Sequence, residues 1–299
     1  MSSSVEQRGL RAALSQAIEQ GRSRLHPFGD VLGLQDPAPG EDALLVLGDS
    51  PFLTGRELGR SSLALNVGID VVAARAAYVE APELGHMATR ALTTVVERTP
   101  RGERLCFSAA VESLGGADER NFRQLVCRAR VHDDEGQFAS GTMVALATDR
   151  EAIEGPPPPK RRDLPEAEVE AELDRLLATE ADSLSEALLL DGLRLEPGEQ
   201  AASVKVRPLL QNLVGSLQGG AAPSIADALT RQLIGREELQ PCILHWAFRG
   251  PLTQSCRYEL RISDSAGSAH AEVRVTENDR VRGLGILDYR PAPAAGGAS

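Results

Sequence analysis

The sequence predicts an α+β chain of two similar halves, each an antiparallel sheet around one central apolar helix. Three observations carry this. Residues 63–78 are apolar almost all round, and such a helix must be surrounded. Segments such as Glu272-Val-Arg-Val275 alternate as strands with one buried face do. Landmarks of the first half also recur, in the same order, in the second.

The recurrences are specific. Pro39-Gly40-Glu41-Asp42-Ala43 returns as Pro197-Gly198-Glu199-Gln200-Ala201, at an offset of 158. Val67-Gly68-Ile69-Asp70 returns as Ser224-Ile225-Ala226-Asp227, at an offset of 157. The run from Cys127 to Gly136 resembles the run from Ala271 to Asp279 at an offset of 144, so the first half carries extra residues in between.

In chain order, residues 1–150 form the first half. It opens with an amphipathic helix over about 5–20, with Leu10, Leu14 and Ile18 on one face. A strand from Ala43 to Leu47, the central helix over about 61–79 and three or four closing strands follow. Residues 151–163, with prolines from Pro156 to Pro159, read as an extended polar linker. The second half, 164–290, opens with a helix over about 165–190, where Val169, Leu173, Leu176 and Leu177 share a face. Its strand runs from Ser203 to Arg207 and its central helix spans about 219–234. The tail, 291–299, is rich in Pro, Ala and Gly and is expected to be disordered.

Composition bounds the function. In 299 residues, 42% hydrophobic content supports a core, and 3% aromatics makes that core aliphatic. A net charge of −11 argues against nucleic acid, which requires a basic footprint. Cys106, Cys127, Cys242 and Cys256 are widely spaced and show no zinc spacing, so they read as reduced core residues and no metal is expected. No apolar run has the length of a membrane span, and the N-terminus is not patterned as a signal peptide. A cytoplasmic protein is the expectation, with no membrane or nucleic-acid partner.

The most informative window runs from Asn212 to Asp227. It holds an amide, the Gly219–Gly220 pair and a carboxylate inside an apolar helix. An unpaired buried charge is costly, so the acid asks for a reason. Helix-start amides aimed at a carbonyl, with a carboxylate nearby, are the parts of acyl-transfer chemistry. Glycine at the helix start lets a carbonyl approach the backbone, and Pro223 fits the first turn, where a missing N–H costs little.

This order of elements, with Asn212, Gly215, Gly219, Gly220 and Asp227, resembles the hotdog-fold acyl-CoA thioesterases, particularly the phenylacetate-pathway type. That pattern is Asn, then Gly, then His-Gly-Gly, then Asp fifteen residues after the Asn. Phe248-Arg-Gly-Pro251 is similar to the family's strand-ending aromatic–Pro turn. The resemblance covers most of 185–290 and, through the repeat, about 25–150. It implies two tandem hotdog domains forming a pseudo-dimer, which is free to self-associate.

In that family the Asn and the Gly-Gly helix start come from one protomer and the helical acid from the other. Carried over, one composite site joins Asn212, Gln218, Gly219 and Gly220 to Asp70. The other joins Asp227 to residues 55–63, where Gly55 stands for the Asn and Ser62-Leu63 for the Gly-Gly. The resemblance implies that the Gly219 or Gly220 N–H and the Asn212 amide polarise a thioester carbonyl, with Asp70 as general base or nucleophile.

Bland readings stand beside these. Asp227 pairs with Arg231 one turn on, Asp70 with Arg75 or another cation, and Asn212 is a turn residue. Gln218 replaces the family's His, keeping hydrogen bonds and losing titration. A hydroxyl facing the acid is also a family feature, and Thr89, Thr93 and Thr94 are its candidates. His245, on an apolar strand, reads as a core or groove histidine. Arg249, Arg280 and Arg282 are candidates for the phosphates of coenzyme A, or simply surface arginines. No cofactor is implied beyond coenzyme A or phosphopantetheine as part of the substrate.

The expected function is hydrolysis of an acyl-CoA or acyl-carrier-protein thioester, with an acyl carrier protein as a candidate partner. The alternatives are a non-catalytic acyl-thioester binder and a dehydratase on the same scaffold. Hydratase members use an Asp–His pair, and neither central helix carries one.

Overall fold

A computed structural model describes residues 62–101, 104–149, 200–207, 210–212 and 215–291. It also describes short pieces at 34–37 and 43–48 and single positions at 32, 171, 174, 189, 194 and 195. The expected helix over about 5–20, the linker 151–163, the tail beyond Pro291 and most of the 165–190 helix lie outside the described residues.

Among the described residues, one sheet of twelve strands organises the molecule. Its strands are β1 (Leu34–Gln35), β2 (Leu45–Gly48), β3 (Leu84–Val96), β4 (Arg104–Leu114), β5 (Phe122–Asp133) and β6 (Gly136–Asp149). Then come β7 (Arg194–Leu195), β8 (Ala201–Lys205), β9 (Leu239–Phe248), β10 (Ser255–Ser265), β11 (Ser268–Glu277) and β12 (Arg280–Pro291). Among the described residues, the helices α1 (Leu63–Glu80) and α2 (Ala221–Ile234) follow β2 and β8.

The strand order is β1-β2-β4-β5-β6-β3-β9-β12-β11-β10-β8-β7. Read inward from either edge, the order is the same once each strand of the second set is matched to its counterpart in the first. All neighbours are antiparallel. The two sets meet where β3 pairs with β9, from Ala91 opposite Ala247 to Val95 opposite Ile243.

Alternation drives the strands as expected. Leu125, Cys127, Ala129 and Val131 of β5 are fully buried, and Ala269, Ala271, Val273 and Val275 do the same for β11. Each fully buried Leu or Val contributes about 1.5–3 kcal/mol of apolar transfer. The inner faces cover α1, which buries residues on every side from Leu63 to Ala77. Gly68 lets it lie against the Phe107 ring, since a Cβ there would fall 2.2 Å from a ring carbon. The helix α2 ends at Gly235, whose φ of 64° is left-handed and free of penalty for glycine.

The start of α2 abuts the middle of α1. A Cβ on Gly220 would fall 2.5 Å from the Asn66 carbonyl and from the Val67 Cα. No L side chain fits at that contact, so the two helix backbones touch there. The contact sets Gln218 and Gly219 beside Asp70.

Candidate active site

Asp70 lies one turn past this contact, on α1. It is partly buried and has neutral partners. The Thr89 hydroxyl donates to Oδ1 at 2.9 Å, and the Gln218 Nε2 donates to Oδ2 at 2.7 Å. A Cβ on Gly219 would fall 2.7 Å from Oδ2, so only glycine leaves the carboxylate its place. Among the described residues no cation accompanies it, and Arg75 pairs instead with Asp36. Burial pushes its carboxyl up to about 6, against the lowering effect of the Thr89 hydrogen bond.

Gln218, 1% exposed, is oriented by its other end. Its Oε1 accepts the Ala221 N–H at 3.0 Å. A backbone N–H can only donate, so the amide oxygen must face α2 and the NH2 must face Asp70. Gly219 and Gly220 stand at the helix start, where N–H groups have no intrahelical acceptor. Pro223 falls in the first turn, as expected.

The structure sorts the three threonines. Thr89 meets Asp70, Thr94 donates to Asn66 Oδ1 at 2.8 Å, and Thr93 meets His245 Nδ1 at 2.7 Å. Strict alternation would put Thr89 and Thr93 on one face. A register shift between Thr89 and Ala91 breaks the parity and turns Thr89 inward, with Leu92 and Thr94. His245 is exposed beside the buried Trp246, so it occupies the outer face of β9 and not the core.

Asn212 has local duties. Its Nδ2 donates to Ser216 Oγ at 2.9 Å, and its Oδ1 accepts the Ser216 N–H at 3.1 Å. The same loop carries Gly215 at φ 78°. This is the turn role weighed above, and no hydrogen bond among the described residues joins Asn212 to Asp70.

Asp227 is 1% exposed and differently paired. Arg231 Nε donates to Oδ1 at 3.0 Å, the Tyr289 hydroxyl to Oδ1 at 2.8 Å, and the Ser62 N–H to Oδ2 at 3.2 Å. Burial, then the charge of Asp227, holds the Tyr289 phenol well above its usual range, so it stays a donor. The Ser62 contact sets Asp227 against the start of α1, as Asp70 is set against the start of α2. Of the matching first-half window, residues 55–61 lie outside the described residues.

Arg282 braces a turn. Its Nε lies 3.7 Å from Glu277 Oε2, and Glu277 accepts the N–H groups of Thr253 and Gln254. The Arg249 N–H donates to the Arg282 carbonyl at 2.8 Å. The side chains of Arg249 and Arg280 are exposed. Arg249 lies just past the Ala91–Ala247 pair, at the end of the sheet that carries Thr89. No hydrogen bond or ion pair among the described residues joins these arginines to the Asp70 cluster.

Two residues of the polar centre had no role in the sequence reading. Asn66, fully buried in α1, donates through Nδ2 to Ser62 Oγ and to Ser224 Oγ, each at 3.0 Å. Ser224, on α2, donates in turn to the Gly220 carbonyl at 2.7 Å. The available signal was a lone amide in an otherwise apolar helix.

Comparison with known proteins adds the fold. No protein-family model and no curated protein matches the chain. Among solved structures, it is similar to a TesB protein of Mycobacterium avium subs paratuberculosis, at 12% identity and a TM-score of 0.52, over 94% of this chain and 100% of that one. It is also similar to a 12:0-ACP thioesterase of Umbellularia californica, at 13% identity and a TM-score of 0.53, over 82% of this chain and 92% of that one. These are hotdog-fold proteins, and the chain shares that fold. Among the described residues no helix is long and apolar enough to cross a membrane.

Proposed function

We propose that the chain is a thioester hydrolase acting on an acyl-CoA or acyl-carrier-protein substrate, built as two hotdog domains in tandem with one composite site. The domains are residues 1–150 and 164–290, joined by 151–163. The matched strand order and the equivalent settings of Asp70 and Asp227 support the pseudo-dimer. The similarity to a 12:0-ACP thioesterase supports the reaction class.

One observation carries the reading. Asp70 is an acid held by two neutral donors at a helix start, with a pKa near 6. A base is most useful when its pKa lies near the working pH. Thr89 and Gln218 hold the carboxylate so that it can take a proton from water as the oxygen attacks the thioester carbonyl. The negative oxygen that forms is stabilised by the Gly219 or Gly220 N–H and the positive end of α2. Collapse breaks the C–S bond, and the proton on Asp70 passes to the departing thiolate. The balance is thioester plus water to carboxylic acid plus thiol. Arg249 and Arg280, both exposed, are candidates for the phosphates of a coenzyme A or phosphopantetheine arm. Asn212 is assigned to its loop and not to the oxyanion. A cytoplasmic location goes with this substrate.

The test is thiol release from a panel of acyl-CoA and acyl-carrier-protein thioesters. Wild type is expected to turn over at least one, and Asp70→Asn to lose about 10³-fold or more in kcat/KM. A wild type that binds these thioesters and hydrolyses none would favour the non-catalytic binder. Full activity in Asp70→Asn would remove the assigned base.

A further inference from the structure

The helix α1 carries two polar rungs, one turn apart. In the first, Asp70 joins Thr89 of β3 to Gln218 at the approach to α2. In the second, Asn66 joins Thr94 of β3 to Ser224 in the first turns of α2. Each rung links one helix of the first half to the same strand and to the opposite half. The second rung also runs on: the Ser224 hydroxyl reaches the carbonyl of Gly220.

Every member of the second rung is buried. Asn66 is 0% exposed, Thr94 and Ser224 1%, and Ser62 4%. Its donors and acceptors are matched: Asn66 gives both amide hydrogens and receives one hydroxyl. Such networks contribute little net stability compared with an apolar filling of the same shape. What they add is a fixed geometry, because a small displacement leaves a buried group unsatisfied. The group fixed here is the Gly220 peptide, at the point where the two helix backbones touch.

We infer that Asn66, with Thr94 and Ser224, is a positioning residue: it holds the Gly219–Gly220 helix start in register with Asp70 and does not touch the substrate. This rests on the thioester hydrolase reading above. A displacement of about 1 Å in a catalytic group can cost about a hundredfold in rate, so the rung acts on turnover more than on binding.

The experiment replaces the whole rung with apolar groups, Ser62→Ala, Asn66→Leu, Thr94→Val and Ser224→Ala together, in the full chain. Melting temperature, kcat and KM are measured on the thioester that wild type hydrolyses best. The expected result is a melting temperature within a few degrees of wild type, a kcat lowered about tenfold to a hundredfold and a KM within about twofold. Wild-type kcat in the well-folded variant would overturn the inference and leave the hydrolase reading intact. A wild type inactive on every thioester would sink the hydrolase reading and this inference with it. Should the fourfold variant not fold, Ser224→Ala alone removes the tie to Gly220. It is expected to lower kcat about threefold to tenfold at unchanged KM and melting temperature, and unchanged kcat there would overturn the inference.

Discussion

Asp70 and Asp227 occupy matching places on the two central helices, each against the start of the opposite helix, yet their surroundings differ in kind. Asp70 has a hydroxyl and a side-chain amide, both neutral. Asp227 has a guanidinium, a phenol and a backbone N–H. The first set holds a carboxylate in place while leaving it basic. The second set ties the carboxylate down: Arg231 and the Tyr289 hydroxyl both donate to its Oδ1, and the Ser62 N–H donates to its Oδ2. One scaffold thus gives two equivalent acids different settings, according to whether their partners carry charge.

The largest expected effect separates the two acids in turnover. Asp227→Asn is predicted to keep kcat/KM per folded molecule within about threefold of wild type, against the loss of about 10³-fold for Asp70→Asn. The reverse outcome in the same thiol-release assay would invert the comparison.

In stability the ranking changes places. Asp227→Asn removes the buried charge on which Arg231, Tyr289 and the Ser62 N–H converge and is predicted to cost about 2–3 kcal/mol, read by chemical denaturation near neutral pH. A loss below about 0.5 kcal/mol would mean that Asp227 is no brace.

Asp70→Asn should do the opposite, and only above a certain pH. The carboxyl moves from 3.8 to about 6 on folding, so between those values the folded protein keeps a proton that the unfolded chain has released. Stability therefore falls as pH rises through that window and stays lowered above it. The Asn variant escapes this and is predicted to be about 1–3 kcal/mol more stable than wild type near pH 8, and equal to it near pH 4. Denaturation curves at the two pH values decide it, and equal stability at both would put Asp70 in a polar, unstrained setting.

The smallest effect probes Gln218. Gln218→Glu keeps an acceptor for Ala221 and sets a second carboxyl where the amide NH2 meets Asp70 at 2.7 Å. The two acids then share a proton, and the acidic limb of kcat/KM, expected near pH 6, is predicted to move up by about one unit or more. An unmoved limb would show that Gln218 does not touch the ionising group in solution.

Much of this was legible in the residues. The unbroken apolar run of α1 announced a surrounded helix, and the offset of 157 between Asp70 and Asp227 matches the equivalent settings of the two acids. The same reading placed Gln218 and Gly219 beside Asp70, across 148 residues of chain. What stayed hidden has local causes. Choosing Thr89 over Thr93 required a bulge that no alternation rule foresees. Asn212 matches the family's Asn by spacing, and spacing alone does not show that its amide also bonds Ser216 four residues on. Asn66 escaped notice because one amide hardly changes the hydropathy of an apolar helix, although its side chain makes hydrogen bonds to Ser62, Ser224 and Thr94. Arg282 read as a free cation because Glu277 lies across a hairpin turn.

The seam between β3 and β9 carries one more consequence, in the time course of folding. It joins strands about 150 residues apart in sequence, a closure that loses more chain entropy than any hairpin in the molecule. Each sheet half is otherwise laddered only from strands of that half, so the halves can gather structure before the seam zips. Asp70 and Gln218 stand on opposite sides of that late event. During synthesis or refolding, the Asp70–Gln218 contact is therefore expected to form together with the seam that joins the two sets of strands.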